Sequence, residues 1–232
     1  VSVSETSPAY EGLADRLHEV QAGIADACRA AGRSAEETTL IVVTKFHPAS
    51  LVEALAGLGV RDVGENRHQE AQEKAAALAG LDVNWHYIGQ LQTKKARQAA
   101  QYASAIHSID RARLVDALAG VDRQLDVFLQ INLTDDPGRG GAAPSEIESL
   151  TEQILGTESL TLRGVMAVAP LEEPAAAAFE RLAGYSERVR SFAPDATAIS
   201  AGMTHDYVEA IAAGATHLRI GSAITGNRPD AR

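Results

Sequence analysis

A lysine closes a short apolar run, Leu40-Ile41-Val42-Val43-Thr44-Lys45, and Phe46, His47 and Pro48 follow it. The run is too short for a helix and rich in β-branched residues, so it predicts a strand with an amine at its exit. Against apolar walls such an amine favours its neutral form and acts as a nucleophile. A strand-end lysine that snorkels to water is the plain alternative. Two later segments bear on the choice. Ser200-Ala201-Gly202-Met203-Thr204 and Arg219-Ile220-Gly221-Ser222-Ala223 combine small residues, hydroxyls and exposed amides. That composition suits a phosphate cradle formed by N–H groups and a helix start, and equally two ordinary strand-to-helix turns. Arg219, between Leu218 and Ile220, is either a surface ion-pair partner or a largely desolvated cation able to bind an acceptor nitrogen or a phosphate.

The surrounding pattern decides where these groups lie. Tyr10, Leu13, Leu17, Val20, Ile24, Ala27 and Ala31 recur every three or four residues, an amphipathic helix that Gly32 can end. Ser34 and Glu37 have capping-box spacing, but no helical pattern follows, so a turn is expected. Strand-like runs then lie at 40–44, 60–63, 85–88, 105–109, 127–131, 162–168, 197–200 and 217–220, with helical patterns between them. Gly59, Gly80, Gly120, Gly156 and Gly214 sit where helices should stop. Strand and helix in alternation imply a parallel sheet with right-handed crossovers. Eight such units in about 200 residues predict an α/β protein, a single (β/α)8 TIM barrel with an extra N-terminal helix, one domain spanning residues 1–232. An open doubly wound sheet is the runner-up, yet the Gly-rich turn it needs after its first strand is missing. Residues 134–141, rich in glycine and charge, read as a mobile loop.

A barrel gathers its strand C-termini at one mouth. Those ends carry Lys45, Glu65, Asn66, His86, His107, Ser108, Asn132, Met166, Ser200, Arg219, Gly221 and Ser222, while the strand interiors are mostly aliphatic. An amine, a phosphate cradle and a buried arginine in one pocket suit a ligand bearing an aldehyde and a phosphate. Pyridoxal 5'-phosphate is the compact candidate. The histidines lack metal-site spacing, and no nucleophilic-serine motif is present.

Composition narrows the partners. Apolar residues make up 45% and charged residues 22%, ordinary for a globular protein. A formal net charge of -10 disfavours nucleic acid and anionic membrane surfaces, so any anionic ligand must be captured by local donors. The single cysteine, Cys28, falls on the apolar face of the first helix and is read as packing. Residues 1–10 have neither the basic segment nor the apolar core of a secretory signal, and no run is long enough to span a membrane, so a cytoplasmic location is expected.

These segments together resemble the pyridoxal-phosphate homeostasis proteins, the YggS/PROSC family, whose barrel is like the N-terminal domain of alanine racemase. The resemblance rests on Val43-Thr44-Lys45 with Pro48, Gly64-Glu65-Asn66 with Gln69-Glu70, Trp85-His86-Tyr87-Ile88-Gly89 with Leu91-Gln92-Thr93-Lys94, and the two segments at Ser200 and Arg219. It covers most of the chain. It implies a Schiff base between pyridoxal 5'-phosphate and Lys45, with Ser200, Gly221 and Ser222 on the phosphate, Arg219 near the pyridine nitrogen and Asn66 beside the ring. His86 and Met203 complete the expected cofactor pocket. Departures flank these anchors: Val63 for phenylalanine, Thr93 for asparagine, Ala201 for methionine, Thr204 for serine and Thr225 for phenylalanine.

An arginine facing the ring nitrogen keeps it unprotonated and weakens it as a carbanion sink. The second domain of racemases, which supplies a catalytic tyrosine, is not expected here. The resemblance therefore implies a monomeric carrier that holds the cofactor with little turnover, serving intracellular vitamin B6 balance, with cofactor-dependent apoenzymes as candidate recipients. A weak amino-acid racemase is the alternative, and a Schiff-base aldolase acting on a phosphorylated sugar is the reading from a different chemistry.

Overall fold

The computed structural model describes residues 10–226, so the reading of the opening stretch as no secretory signal lies mostly outside the described residues. Eight parallel strands close on themselves in sequence order: β1 (Thr39–Val43), β2 (Asp62–Glu65), β3 (Asn84–Tyr87), β4 (Ala105–Ile109), β5 (Leu125–Gln130), β6 (Leu160–Met166), β7 (Ala198–Ser200) and β8 (His217–Ile220). β1 pairs with both β2 and β8, the contact an open sheet would lack. The expected α/β barrel with its extra helix is the fold.

α1 (Leu13–Ala30) buries Leu13, Leu17, Val20, Ile24, Ala27 and Cys28, the stripe read from the spacing. The connecting helices are α2 (Ala49–Gly57), α3 (His68–Ala77), α4 (Ala96–Tyr102), α5 (Ala112–Leu118), α6 (Ile147–Leu155), α7 (Ala175–Arg190) and α8 (Tyr207–Ala212), followed by the single turn α9 (Ser222–Thr225). α1 lies against α8 and α9, and its Arg16 Nε donates to the carbonyl of Ile224 at 2.8 Å. The Ser34–Glu37 capping box forms, but it heads only a 3-10 turn before β1. Among the described residues, no helix is long and apolar enough to cross a membrane.

Two expectations shift. β2 starts two residues later than the apolar run at 60–63, because its partner β3 pairs with Asp62, Val63, Gly64 and Glu65. The loop at 134–141 is tied down. Asn132 Oδ1 accepts from the amide and hydroxyl of Thr134, Asp136 accepts from the amide of Gly138, and Ile131 bridges to Ala142. Local side-chain acceptors replace the missing ladder bonds, as Asx turns do.

The main core lies between sheet and helices, and a smaller cluster of Ala105, Phe128, Met166 and Ala198 fills part of the barrel. Much of the rest of the interior is polar, with Ile41, Val43 and Ile88 gathered around Gly64, so branched aliphatic residues fill less of it than is common in such barrels. His107 of β4 stacks on Phe128 at 4.1 Å between centroids, and His217 of β8 meets Phe128 edge-on at 5.1 Å. Burial holds both imidazoles neutral, lowering His107 well below its usual range and His217 to about 4.

In the unfolded chain both protonate near 6.5, above their folded values, so the stability they contribute is present above that pH and lost as pH falls. Each adds a slope of at most about 1.4 kcal/mol per pH unit. The urea midpoint should therefore fall between about pH 7 and pH 5, and His217→Gln should flatten that dependence. A pH-independent midpoint in the parent protein would refute neutral buried histidines.

Candidate functional site at the strand C-termini

The exit of β1 is held from both sides. Thr44 donates its hydroxyl to Glu65 Oε1 at 2.6 Å, and Lys74 of α3 donates to the same oxygen at 2.6 Å and to the Thr44 carbonyl at 2.9 Å. Glu65 is 1% exposed and Lys74 7%. Burial raises the Glu65 carboxyl against the opposing pull of Lys74 and Thr44. Just past Lys45, Phe46 adopts φ 69°, a left-handed conformation unusual for an aromatic residue. Its amide donates to Glu70 Oε2 at 3.1 Å, and the Arg67 guanidinium covers its ring at 4.7 Å. Lys45 is thus presented on a reversed turn whose two flanks are fixed.

The apolar walls expected around Lys45 are not there. The side chain is exposed, with Nζ 5.7 Å from the centroid of the Phe46 ring. The strand ends one residue earlier than the apolar run, and Lys45 falls on the turn that follows it.

Register brings the other anchors beside it. Ile41 pairs with Arg219 and Val42 with Ile220, so the residues beyond Val43 and beyond Ile220 emerge next to each other. A Cβ on Gly221 would lie 3.3 Å from Val43 Cβ. Ser222 is exposed and Met203 is 37% exposed. Ser222 and Ala223 open α9, where no intrahelical carbonyl reaches their amides. Asn66 follows β2, and its Oδ1 is buried without a partner among the described residues. A Cβ on Gly89 would come 2.2 Å from the Asn66 carbonyl, so only glycine allows the β3 exit to pack there.

Arg219 is buried. It donates Nη1 to Ser200 Oγ at 2.7 Å and Nη2 to the Ala167 carbonyl at 2.8 Å. Desolvation lowers its guanidinium to about 10, so it stays charged at neutral pH. A guanidinium has five N–H groups, which leaves donors for a ligand above it.

Two expected pocket residues sit lower than the sequence implied. Ser200 is fully buried, and its hydroxyl is engaged by Arg219 and by His107 Nδ1 at 2.8 Å. His86 does not line the mouth. Its ring points toward the opposite end of the barrel, where Nε2 meets Asp62 Oδ1 at 2.9 Å in a cavity of about 250 Å³. Strand alternation explains it: Ile88, two residues on, is the β3 side chain reaching Gly64 near the mouth.

Lys74 was missed, and Glu70 was named in a motif without a role. Lys74 did leave a signal, because Ala71, Lys74 and Leu78 share one helical stripe and a lysine there faces the core.

A closed parallel barrel with a lysine after β1 and a buried arginine in β8 is an alanine racemase-like barrel. The alanine racemase N-terminal domain model matches residues 19–229. An alanine racemase from Corynebacterium glutamicum superposes with a TM-score of 0.68 over 93% of this chain and 62% of its own at 16% identity, a likeness of fold. Nearer relatives narrow the class. A pyridoxal phosphate homeostasis protein of Mycobacterium leprae is 39% identical, with 92% of each chain covered. PipY of Synechococcus elongatus PCC7942, solved with PLP bound, is 32% identical with a TM-score of 0.80, covering 92% of this chain and all of PipY. The chain belongs to the pyridoxal phosphate homeostasis protein family.

Proposed function

We propose that this protein binds pyridoxal 5'-phosphate as a Schiff base on Lys45 and holds it with little or no turnover, as a carrier in intracellular vitamin B6 balance. The observation that carries the reading is the mouth itself, where register places the Lys45 turn beside Gly221 and Ser222 above a buried Arg219. The residues fit the cofactor. Asn66 Oδ1 lacks a partner and can accept from it, the first amides of α9 can meet its phosphate, and Arg219 retains donors for its ring nitrogen. Met203, exposed past the end of β7, is read as bordering the same opening, while Ser200 holds Arg219 from beneath and His86 reaches that pair only through His107.

Bound there, the cofactor supplies an aldehyde for amines and a ring that can delocalise a carbanion. Arg219 limits the second property, because a permanent cation opposes protonation of the ring nitrogen. Proton-transfer partners are also scarce. Tyr87 donates to the Gln90 carbonyl at 3.2 Å, Tyr10 shares a hydrogen bond with Ser50, Tyr207 lies against Gly23 of α1, and burial raises the Tyr87 and Tyr102 phenols. This favours holding over racemisation. A cytoplasmic monomer that passes the cofactor to apoenzymes completes the proposal.

Borohydride reduction of the cofactor-loaded protein, followed by peptide mass mapping, tests the attachment. The adduct is expected on Lys45, and one on Lys74, Lys94 or Lys95 instead overturns it. Sustained exchange of amino-acid α-protons with solvent would overturn the carrier reading in favour of a racemase.

A further inference from the structure

Phe46, directly after Lys45, is the one non-glycine residue with a left-handed backbone among the described residues. A bulky residue persists in that conformation only where its surroundings over-determine it. Here the grip comes from the start of α3. Glu70 Oε2 accepts from the Phe46 amide at 3.1 Å, Glu70 Oε1 accepts from Arg67 Nη1 at 3.2 Å, and the Arg67 guanidinium lies over the Phe46 ring at 4.7 Å. Amide, carboxylate, guanidinium and ring make a closed clasp. One turn further along the same helix, Lys74 donates to the Thr44 carbonyl at 2.9 Å. Side chains from α3 and its N-cap thus grip the chain on each side of Lys45 and leave the lysine side chain exposed between them.

Local stability does not account for the clasp. Arg67 is the N-cap of α3 and Glu70 its third residue, the position from which a carboxylate ordinarily reaches back to the N-cap amide. The two oxygens of Glu70 go instead to the Phe46 amide and to the Arg67 side chain. As an ion pair Arg67–Glu70 contributes little, because the two side chains are 57% and 31% exposed. What the clasp fixes is a backbone direction. Phe46 at φ 69° reverses the chain right after Lys45, before Pro48 caps α2. Released from the clasp, an aromatic residue would leave the left-handed region by a preference of roughly five- to thirtyfold, and the adjoining Lys45 would swing with it.

We propose that Glu70 and Arg67 are positioning residues for Lys45, which hold Phe46 left-handed so that the amine stands where the aldehyde of the anchored cofactor arrives. Resting on the cofactor reading above, this divides the labour of the mouth. The clasp governs the covalent bond, whereas Gly221, Ser222 and Arg219 govern the non-covalent hold. In the covalent step the amine nitrogen bonds to the aldehyde carbon, and the aldehyde oxygen departs as water with two hydrogens from that nitrogen.

Two vitamers separate these roles in equilibrium dialysis. Pyridoxal 5'-phosphate can bond to Lys45, while pyridoxine 5'-phosphate carries an alcohol in place of the aldehyde and reports the non-covalent hold alone. Glu70→Ala should weaken binding of the aldehyde about tenfold and that of the alcohol less than about twofold. Glu70→Gln keeps a carbonyl oxygen for the Phe46 amide and should stay within about threefold of the parent for both. Glycine takes the left-handed conformation without steric cost, so in a Phe46→Gly background the same Glu70→Ala change should cost the aldehyde less than about threefold.

Equal losses for the two vitamers in Glu70→Ala would overturn the proposal, since a general disturbance of the mouth does that. Unchanged binding of both would overturn it too, as would a tenfold loss that persists with glycine at position 46. A parent protein that holds the aldehyde no better than the alcohol would refute the Schiff base itself and the clasp's role with it. A parent that prefers the aldehyde leaves the Glu70 variants to decide on the clasp alone.

Discussion

Lys45→Ala is expected to give a folded, colourless protein that loses pyridoxal 5'-phosphate on desalting and yields no borohydride adduct. Lys45 is exposed and lies over the ring of its own neighbour Phe46, so its removal should change the unfolding free energy by no more than about 0.5 kcal/mol. Retention should nevertheless fall roughly a hundredfold or more, because the covalent bond is lost while the amides and Arg219 remain. Residual weak binding that still competes with inorganic phosphate would identify those remaining contacts. A Lys45→Ala variant that keeps both its colour and a reducible adduct would remove Lys45 from the site.

The second large effect concerns stability. Lys74→Met leaves the Glu65 carboxylate buried without its cation and leaves the Thr44 carbonyl with the His47 amide alone. Breaking such a buried pair from one side costs roughly 3–5 kcal/mol. Ionisation of Glu65 then becomes the dominant cost. Its folded pKa, already raised by burial above the ordinary 4.5, should rise further, so protonation favours the folded state. The variant should thus regain stability as pH falls below the folded value toward 4.5, and lose it again as pH rises. Lys74→Met combined with Glu65→Gln should recover part of the loss at neutral pH. Equal urea midpoints for the parent and Lys74→Met would show that the pair contributes little.

The barrel was legible because alternation of short β-branched runs with glycine-ended helical patterns leaves few topologies, and each strand end could be placed within about two residues. The places of Lys45, Arg219 and the small-residue segment after β8 along the chain were legible for the same reason: a charge or a glycine within or just past an apolar run stands out. His86 was misplaced because a four-residue strand does not reveal which of its alternate positions lies at which height in the barrel. Ser200 looked free because its partners, His107 and Arg219, come from strands distant in sequence. The bond between Asp62 and His86 left no local trace at all. Asp62 lies at the start of β2, where the sequence suggested the end of a strand. Exposure of Lys45 depended on the Phe46 turn, a backbone conformation that its residue type argues against.

The pairing of β1 with β8 also sets a timetable for the newborn polypeptide. Lys45 leaves the ribosome early, whereas Arg219, Gly221 and the turn that Arg16 fastens to the first helix leave long after it. Until that final strand docks, the amine has no companion donors. On the proposed reading of Lys45, aldehyde capture at full strength would wait for barrel closure, which would spare half-made chains from sequestering a reactive vitamer.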